Sequence, residues 1–219
     1  MYWLYALGAG ILGLILTIGI RQIVKELSGK RFAVLGQENV GKTVLIKYLT
    51  EGVFTKTYKE TILEEKTPKN VLHLKDLKLK IKESKDVSGG GGYGPWKNIF
   101  VDSDIVLYLF RLDSFEKGSS IERIKRDVGQ ISKWINDNQN TKERKIIVIG
   151  TFADKVTNID HKKDEHIAKL ISELKRNTVI NNMIIQLGGG RKVPLIIGSM
   201  VDEPSTMKLV HYLIKAAVQ

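Results

Sequence analysis

Gly36-Gln37-Glu38-Asn39-Val40-Gly41-Lys42-Thr43 matches the pattern GxxxxGK[ST] at every fixed position. The apolar run at 31–35 before it predicts a short buried strand, and the run at 44–49 after it predicts the first turns of a helix. A glycine-rich turn between a strand and a helix points backbone N–H groups and the helix N-terminus at an anion. The stretch therefore predicts a phosphate-binding loop, in which Lys42 reaches the outer phosphates and the Thr43 hydroxyl ligates Mg²⁺.

The composition indicates one globular domain behind a distinct N-terminal segment. The chain has 219 residues, of which 42% are hydrophobic. Setting the first segment aside leaves roughly 190 residues, which is enough to bury a single core. Because the chain has no cysteine, a disulfide framework and a thiolate metal site are excluded, which is consistent with a reducing compartment.

Residues 1–20 carry no charged side chain and would span about 30 Å as a helix, the thickness of a bilayer core. Three aromatic residues begin this segment and four basic residues follow it: Tyr2, Trp3 and Tyr5, then Arg21, Lys25, Lys30 and Arg31. Aromatic residues favour the membrane interface, and basic residues stay on the cytoplasmic side. We therefore expect a single-pass anchor at 1–20 with its N-terminus outside, a basic juxtamembrane linker at 21–30 and a cytoplasmic domain at 31–219.

Two alternatives to a membrane anchor stay open. A cleaved signal peptide normally has basic residues before its apolar run and a small-residue cleavage site after it, whereas here the basic residues come after the run. A buried globular helix normally shows one polar face, and residues 1–20 lack one.

The formal net charge of +11 indicates an anionic partner or a strongly solvated surface. Nine lysines lie between residues 56 and 85, but aromatic residues are not interleaved with them, which argues against nucleic acid. Anionic lipid headgroups suit a tethered domain. A solvated basic surface without a specific ligand is equally compatible with the sequence.

Strands and helices alternate after the N-terminal segment, which predicts a doubly wound α/β domain with a mainly parallel six-stranded sheet. The predicted strands are 31–35, 71–74, 77–82, 105–110, 145–149 and 193–197, and the predicted helices are 42–51, 119–137, 161–176 and 205–217. Strands 105–110 and 145–149 are almost wholly apolar, as central parallel strands covered on both faces are.

A second motif, Asp86-Val87-Ser88-Gly89, follows a predicted strand and is weak by itself. An aspartate at this place can hold the Mg²⁺ shell through water, and a glycine N–H can contact a γ-phosphate. Gly89 also begins a run of four glycines that ends at Gly92, and the chain entropy of such a run suits a loop that becomes ordered on binding. Another glycine run, at 188–190, predicts an ordinary connection.

In the order of these motifs the chain resembles the small GTPases of the Ras-like superfamily. The nearest likeness is to the Arf-like branch, which includes the β subunit of the signal recognition particle receptor. Four further stretches carry it: Tyr58-Lys59-Glu60-Thr61-Ile62, Trp96-Lys97-Asn98-Ile99-Phe100 with Asp102-Ser103-Asp104, Thr151-Phe152-Ala153-Asp154, and Gly198-Ser199-Met200. They occupy the places of switch I, the segment after switch II, the [NT]KxD guanine motif and the last guanine loop.

The resemblance implies a GTP-binding switch that uses GTP, GDP and Mg²⁺ and recruits a protein partner at the cytoplasmic membrane face. The implied catalytic residues are Lys42, Thr61 and Gly89, and the implied Mg²⁺ ligands are Thr43, Thr61 and Asp86. The implied nucleotide-binding residues are Glu38, Asn39, Val40, Gly41, Lys42, Thr43, Val44, Thr151, Phe152, Asp154, Ser199 and Met200. The carboxylate of Asp154 would accept from the guanine N1–H and amine, and the backbone N–H of Met200 would donate to the base carbonyl.

The chain departs from the family pattern at two positions. Phe152 replaces the motif lysine, whose stem lies along the base; a phenyl ring can stack there instead, so guanine selectivity is the property in question. Gly90 replaces the glutamine that orients the attacking water, so we expect slow or partner-dependent hydrolysis unless Gln37 or Glu38 compensates.

Three functions therefore follow from the sequence. The first is a membrane-anchored GTP-binding switch with weak intrinsic hydrolysis. The second is a P-loop NTPase without guanine selectivity, and the third is a pseudo-GTPase that acts as a scaffold. Phe152 and Gly90 keep the second and third open.

Overall fold

The computed structural model describes residues 20–52, 54, 80–83, 93–137, 142–188 and 192–219. Within them, five parallel strands form one sheet in the order β2-β1-β3-β4-β5. The strands are β1 (Arg31–Gly36), β2 (Lys80–Glu83), β3 (Ile105–Arg111), β4 (Lys145–Thr151) and β5 (Leu195–Ile197). The predicted α/β fold with a parallel sheet is thus confirmed, while the sixth predicted strand, at 71–74, lies outside the described residues.

Seven α-helices accompany the sheet in the part of the chain that the structure describes. They are α1 (Ile20–Leu27), α2 (Lys42–Glu51), α3 (Gly94–Asp102), α4 (Gly118–Ile135), α5 (Asp164–Arg176), α6 (Thr178–Gly188) and α7 (Glu203–Val218). Four of them, α2, α4, α5 and α7, correspond to the predicted helices. Helices α1, α3 and α6 were not predicted from the sequence.

Helices cover both faces of the sheet, which is why β3 and β4 are apolar except at their ends. On one face, Tyr108 of β3 packs in a cluster with Trp96 of α3 and Ile131 of α4. On the other face, Leu107 of β3 packs in a cluster with Leu213 of α7. Because successive residues of a strand point to opposite faces, each strand contributes to both cores, as a doubly wound domain requires.

Helix α1 occupies most of the segment that the sequence analysis treats as a basic linker, 21–30. Ile23 and Leu27, one helical turn apart, are 0% and 1% exposed and join the core cluster that contains α7. The basic residue Lys25 stays exposed. The folded domain therefore includes residues before Arg31.

The predicted membrane anchor falls almost wholly outside the described part of the chain, which starts at Ile20. Among the residues that are described, no helix is both long enough and apolar enough to span a bilayer.

Helix α3 is held at its C-terminal end by a distant arginine. Nε and Nη2 of Arg144 donate to the carbonyl oxygens of Phe100 and Val101 at 2.9 and 2.7 Å, and Nη1 donates to that of Lys142 at 2.8 Å. The Ser103 hydroxyl donates to the Phe100 carbonyl oxygen at 2.8 Å. The last carbonyl groups of a helix have no partner within the helix, so these donors stabilise its end.

Asp104 connects the starts of β1 and β3 to the segment before β4. Its carboxylate accepts from the Arg31 backbone N–H at 2.8 Å and pairs with the Lys142 ammonium at 2.7 Å. Burial alone would raise the pKa of Asp104, but the hydrogen bonds from Lys142 and Arg31 outweigh it and lower the pKa from 3.8 to about 2. The ionised carboxylate thus stabilises the fold.

This lowered pKa predicts an acid-dependent loss of stability. Because the pKa of Asp104 is lower in the folded state, its contribution is complete above pH 4 or so and is lost as the pH falls through about 2. We expect Asp104→Asn to lower the free energy of unfolding at pH 7 by about 1–2 kcal/mol and to flatten its decline below pH 4. Denaturant unfolding between pH 2 and pH 7 measures this, with the exposed Glu116→Gln as the control. Parallel pH curves for the wild type and Asp104→Asn would contradict the assignment.

Candidate functional site

The candidate site lies at the C-terminal ends of the strands, where β1 turns into α2. Gly36 ends β1 with φ +143°, and a Cβ there would clash with the carbonyl oxygen of Leu109 in the neighbouring strand. Gly41 caps α2 with φ +92°, and Asn39 between them is also left-handed, with φ 56°. Glycine adopts such conformations without strain, which is why the motif has it at both positions. The sequence-predicted loop therefore has the tight turn that an anion cradle needs.

Lys42 is only 5% exposed and points back into this loop. Its Nζ donates to the carbonyl oxygens of Gly36 and Gln37, at 3.0 and 2.7 Å. A nearly buried ammonium needs such partners, because burying an unpaired charge is costly. The two carbonyl groups thus fix the lysine charge inside the loop, next to the amino end of α2.

The other predicted residues of the loop differ in their surroundings. Thr43, in the first turn of α2, is exposed, and so are Glu38 and Asn39. Val40 is fully buried and anchors the loop to the hydrophobic core, whereas Val44 is half-buried. These positions suit ligand contacts through backbone N–H groups and the Thr43 hydroxyl rather than through the valine side chains.

Four further predicted residues belong to the two switch segments. Thr61, Asp86, Gly89 and Gly90 lie outside the described residues. Their roles stay predictions.

Thr151 ends β4 and is fully buried. Its hydroxyl donates to the carbonyl oxygen of Phe110 in the adjacent strand at 3.1 Å. The side chain of Thr151 thus holds β3 and β4 together at the edge of the site.

Phe152, the residue that follows, is half-buried and has left-handed backbone angles, φ 60° and ψ 37°. Two cations lie over its ring: the Arg111 guanidinium carbon is 4.1 Å from the ring centroid, and the Lys155 ammonium is 5.1 Å away. The ring that replaces the motif lysine is therefore held at the ligand edge of the sheet.

Asp154 is joined to the loop after β5. The Ser199 hydroxyl donates to Oδ1 of Asp154. Ser199 itself is only 1% exposed. Within the part of the chain that the structure describes, Oδ2 of Asp154 accepts no hydrogen bond. The carboxylate is thus oriented by a neighbour while it keeps acceptor capacity for a ligand.

Backbone hydrogen bonds reinforce this junction. The Ala153 N–H donates to the carbonyl oxygen of Gly198 at 3.2 Å, and the Gly198 N–H donates to that of Gly150 at 3.0 Å. The Ser199 hydroxyl oxygen also accepts from the Val201 N–H at 3.2 Å. The loops at 151–155 and 198–201 therefore form one unit.

Met200 connects this unit to the phosphate loop. Its side chain lies so close to Gly41 that a Cβ on the glycine would clash with the methionine methyl group. The structure thus brings Gly41, Lys42, Phe152, Asp154, Ser199 and Met200 to one edge of the sheet, although they come from distant parts of the sequence.

Sequence reasoning missed two residues at this edge. Arg111 is the last residue of β3, and its Nε and Nη2 donate to the two oxygens of Asp113 at 2.9 and 2.7 Å. The Arg111 guanidinium lowers the pKa of Asp113 through this pairing. An available signal was a charged residue directly after six apolar strand residues, at the strand end where α/β proteins bind ligands.

A glycine-rich loop around a buried lysine, followed by a helix at the carboxyl edge of a parallel sheet, defines a P-loop nucleotide-binding domain. The model of the family described as Roc, the Ras of Complex domain of DAPkinase, matches residues 31–157. The chain therefore belongs to this family of Ras-like GTPase domains. No curated protein matches the chain. The matched range contains the phosphate loop and Asp154, whereas Ser199 and Met200 lie beyond it.

Proposed function

We propose that this chain is a guanine-nucleotide-binding switch that binds GDP and GTP between the phosphate loop and the joined loops at 151–155 and 198–201. The observation that carries the proposal is the hydrogen bond from Ser199 to Asp154, because it orients a carboxylate at the edge of the sheet that also carries the glycine-rich loop. A carboxylate accepts the two donors on the edge of guanine, whereas adenine presents no such pair. The family match supports the same ligand.

The residues at the loop fit Mg²⁺ as the accompanying ion. Thr43, an exposed residue, carries its hydroxyl group in the first turn of α2, next to Lys42. Mg²⁺ prefers oxygen ligands and is usually held by one or two protein groups together with phosphates and waters. When bound, the ion would neutralise phosphate charge, while Lys42 and the backbone N–H groups of the loop orient the phosphates.

Thermal unfolding with added nucleotides tests the ligand class. A ligand at about a hundred times its Kd should raise the unfolding midpoint of a domain of this size by about 5–10 °C. We expect this shift with Mg²⁺ and GDP or GTP, and less than about 1 °C with ADP or ATP at the same concentration. Equal shifts with adenine nucleotides would favour an NTPase without guanine selectivity, and no shift at all would favour the pseudo-GTPase scaffold.

We also propose that hydrolysis is slow without a partner, because Gly90 has no side chain to orient the attacking water. The expected single-turnover rate is on the order of 10⁻³ s⁻¹ or less, as in GTPases that lack the stabilising group of a partner. Cleavage of bound GTP, followed by separation of GTP and GDP, measures this rate. A rate near 1 s⁻¹ for the isolated chain would contradict the proposal.

The resemblance to the Arf-like branch, which includes a membrane-anchored receptor subunit, suggests where the protein is located. We propose that residues 1–20 anchor the domain to a membrane, with the domain on the cytoplasmic side and a protein partner bound there. The uncharged segment and the basic residues after it support this.

Deletion of the N-terminal segment tests the anchor. The deletion should end at residue 19, because Ile23 and Leu27 of α1 are buried in the domain core. We expect the full chain in the membrane fraction after an alkaline wash, and the chain without residues 1–19 in the supernatant. A shortened chain that stays with the membrane would show that these residues are not the anchor, and unchanged thermal unfolding confirms that the deletion left the fold intact.

A further inference from the structure

The ring of Phe152 carries a guanidinium on one of its faces. The Arg111 guanidinium carbon lies 4.1 Å from the ring centroid, well within the range of a cation–π interaction. The Lys155 ammonium is 5.1 Å from the same centroid, but Lys155 is an exposed residue, and the ion pairs among the described residues do not fix its position. Arg111, by contrast, forms an ion pair with Asp113.

Arg111 is held in place from two directions. As the last residue of β3, it lies opposite Thr151 in the register of the sheet, one residue before Phe152. Both oxygens of Asp113 accept from its guanidinium, which fixes the plane of the group. Asp113 also balances the positive charge beside the ring.

Phe152 is held in a backbone conformation that a bulky side chain rarely adopts. Its φ of 60° lies in the left-handed region, which costs of order 1–3 kcal/mol for such a residue. The conformation is kept by the Lys155 N–H, which donates to the Phe152 carbonyl oxygen at 3.1 Å, and by the packing of the ring on Arg111. Strained backbone conformations of this kind cluster at functional sites, and Phe152 lies at the edge of the sheet where ligands bind.

We propose that Arg111 is a positioning residue for base binding: its guanidinium packs on one face of Phe152 and orients the ring so that the opposite face stacks on the nucleobase. The inference rests on the proposed guanine-nucleotide site and extends it. Asp154, two residues after Phe152, reads the edge of the base, while the Arg111–Phe152 stack contacts its face.

The chemistry of the stack favours this arrangement. A cation over one face of an aromatic ring draws electron density toward that face, so the other face becomes a better partner for an electron-rich purine. A lysine stem in the family motif offers only methylene contacts to the base. The pair of Arg111 and Phe152 thus provides the contact with the face of the base that the replaced lysine normally makes.

A double-mutant cycle on GDP affinity tests the proposal in the full-length protein. Arg111→Met keeps the aliphatic stem and removes the guanidinium, and we expect it to weaken GDP binding by about 3- to 20-fold. In the Phe152→Leu background the same change should cost less than about 2-fold, because the ring that Arg111 supports is gone. Arg176→Met, at an exposed arginine in α5, is the matched control and should leave the affinity unchanged.

Asp113→Asn gives a second, milder variant. It preserves Arg111 and the shape of the site but removes the charge that fixes the guanidinium, so we expect a smaller loss of GDP affinity that also disappears in the Phe152→Leu background. It keeps the test decisive if Arg111→Met does not fold, which thermal unfolding reports.

Several outcomes would overturn the inference. Equal losses from Arg111→Met in the presence and absence of the Phe152 ring would show that Arg111 acts through general stability. Unchanged GDP affinity in Arg111→Met, with the wild type binding normally, would refute the inference and leave the proposed function intact. No GDP binding by the wild type would refute the proposed function, and this inference with it.

Discussion

Lys42→Ala is expected to weaken GDP binding by about 100- to 1,000-fold. The Lys42 ammonium is nearly buried and is held inside the loop by the carbonyl oxygens of Gly36 and Gln37. Removing it takes away charge-assisted hydrogen bonds to the phosphates and the only positive side chain of the loop motif. Equilibrium displacement of fluorescent GDP measures the loss.

The control for this change is Lys47→Ala, on the same helix α2 and five residues further along. It removes one positive charge of the domain but is not part of the phosphate loop, so GDP affinity should change by less than about 3-fold. Lys42→Ala leaves the carbonyl groups of Gly36 and Gln37 without the lysine as a partner. Circular dichroism therefore has to confirm that the variant keeps the native fold. A folded Lys42→Ala protein that binds GDP as tightly as Lys47→Ala would contradict the assignment of the phosphate site.

Asp154→Asn is expected to reverse the choice of base. Asparagine retains an oxygen that accepts from Ser199 but replaces the second carboxylate oxygen with an amide donor. Guanine presents two donors on this edge, so one of them would face another donor, and GDP affinity should fall by about 100-fold or more. Xanthine has a carbonyl group where guanine has its amine, so xanthosine diphosphate should bind Asp154→Asn more tightly than it binds the wild type.

Displacement titrations with GDP and xanthosine diphosphate on both proteins measure this reversal. Glu173→Gln, an exposed carboxylate in α5, is the matched control and should leave both affinities unchanged. Parallel losses of both ligands in Asp154→Asn would show that Asp154 supports the loop rather than reads the base.

The features that sequence reasoning predicted correctly depend on local pattern. The phosphate loop is a fixed motif, and the strands at 105–110 and 145–149 are apolar runs whose structure differs from the prediction by a residue or two at one end. Gly36 and Gly41 have the positive φ angles that explain why the motif requires glycine. Such features are determined by residues close together in the sequence, so one sequence is enough to read them.

The elements that were missed depend on distant partners. Helix α1 exists because its Ile23 and Leu27 are covered by the core next to α7, almost the whole length of the chain away. Helix α3 ends where Arg144, more than 40 residues further on, donates to its last carbonyl groups. Neither partner is visible in a local window, because tertiary packing rather than intrinsic propensity stabilises most helices.

A buried carboxylate in α4 illustrates the same limit. Asp127 is fully buried, and its oxygens accept from the hydroxyl groups of Tyr93 and Tyr108 at 2.8 and 3.3 Å and from Nε of Arg123 at 3.1 Å. Burial raises the pKa of the Asp127 carboxyl although these partners act in the opposite direction. The sequence predicts this helix, at 119–137, but it does not show the two tyrosines that make a polar residue tolerable on the buried face.

At the candidate site, too, some features follow from local sequence motifs and others depend on distant partners. Lys42 and Asp154 were predicted from motif order, and their roles stay predictions. The hydrogen bond from Ser199 to Asp154 and the contact of Met200 with Gly41 depend on how three strand ends converge. Arg111 was missed because the family pattern assigns it no role. The role proposed for Arg111 depends on its contact with the ring of Phe152, which the sequence does not show.

The proposed function requires that this edge of the sheet selects guanine nucleotides through Asp154, while Phe152 takes the place of the usual lysine against the face of the base. Displacement of fluorescent GDP from the full-length protein in Mg²⁺, by unlabelled GDP and by ADP, tests it most directly. We expect half-displacement by ADP to need a concentration at least about 100-fold higher than half-displacement by GDP. Half-displacement at equal concentrations of the two nucleotides, or no binding of the labelled GDP, would contradict it.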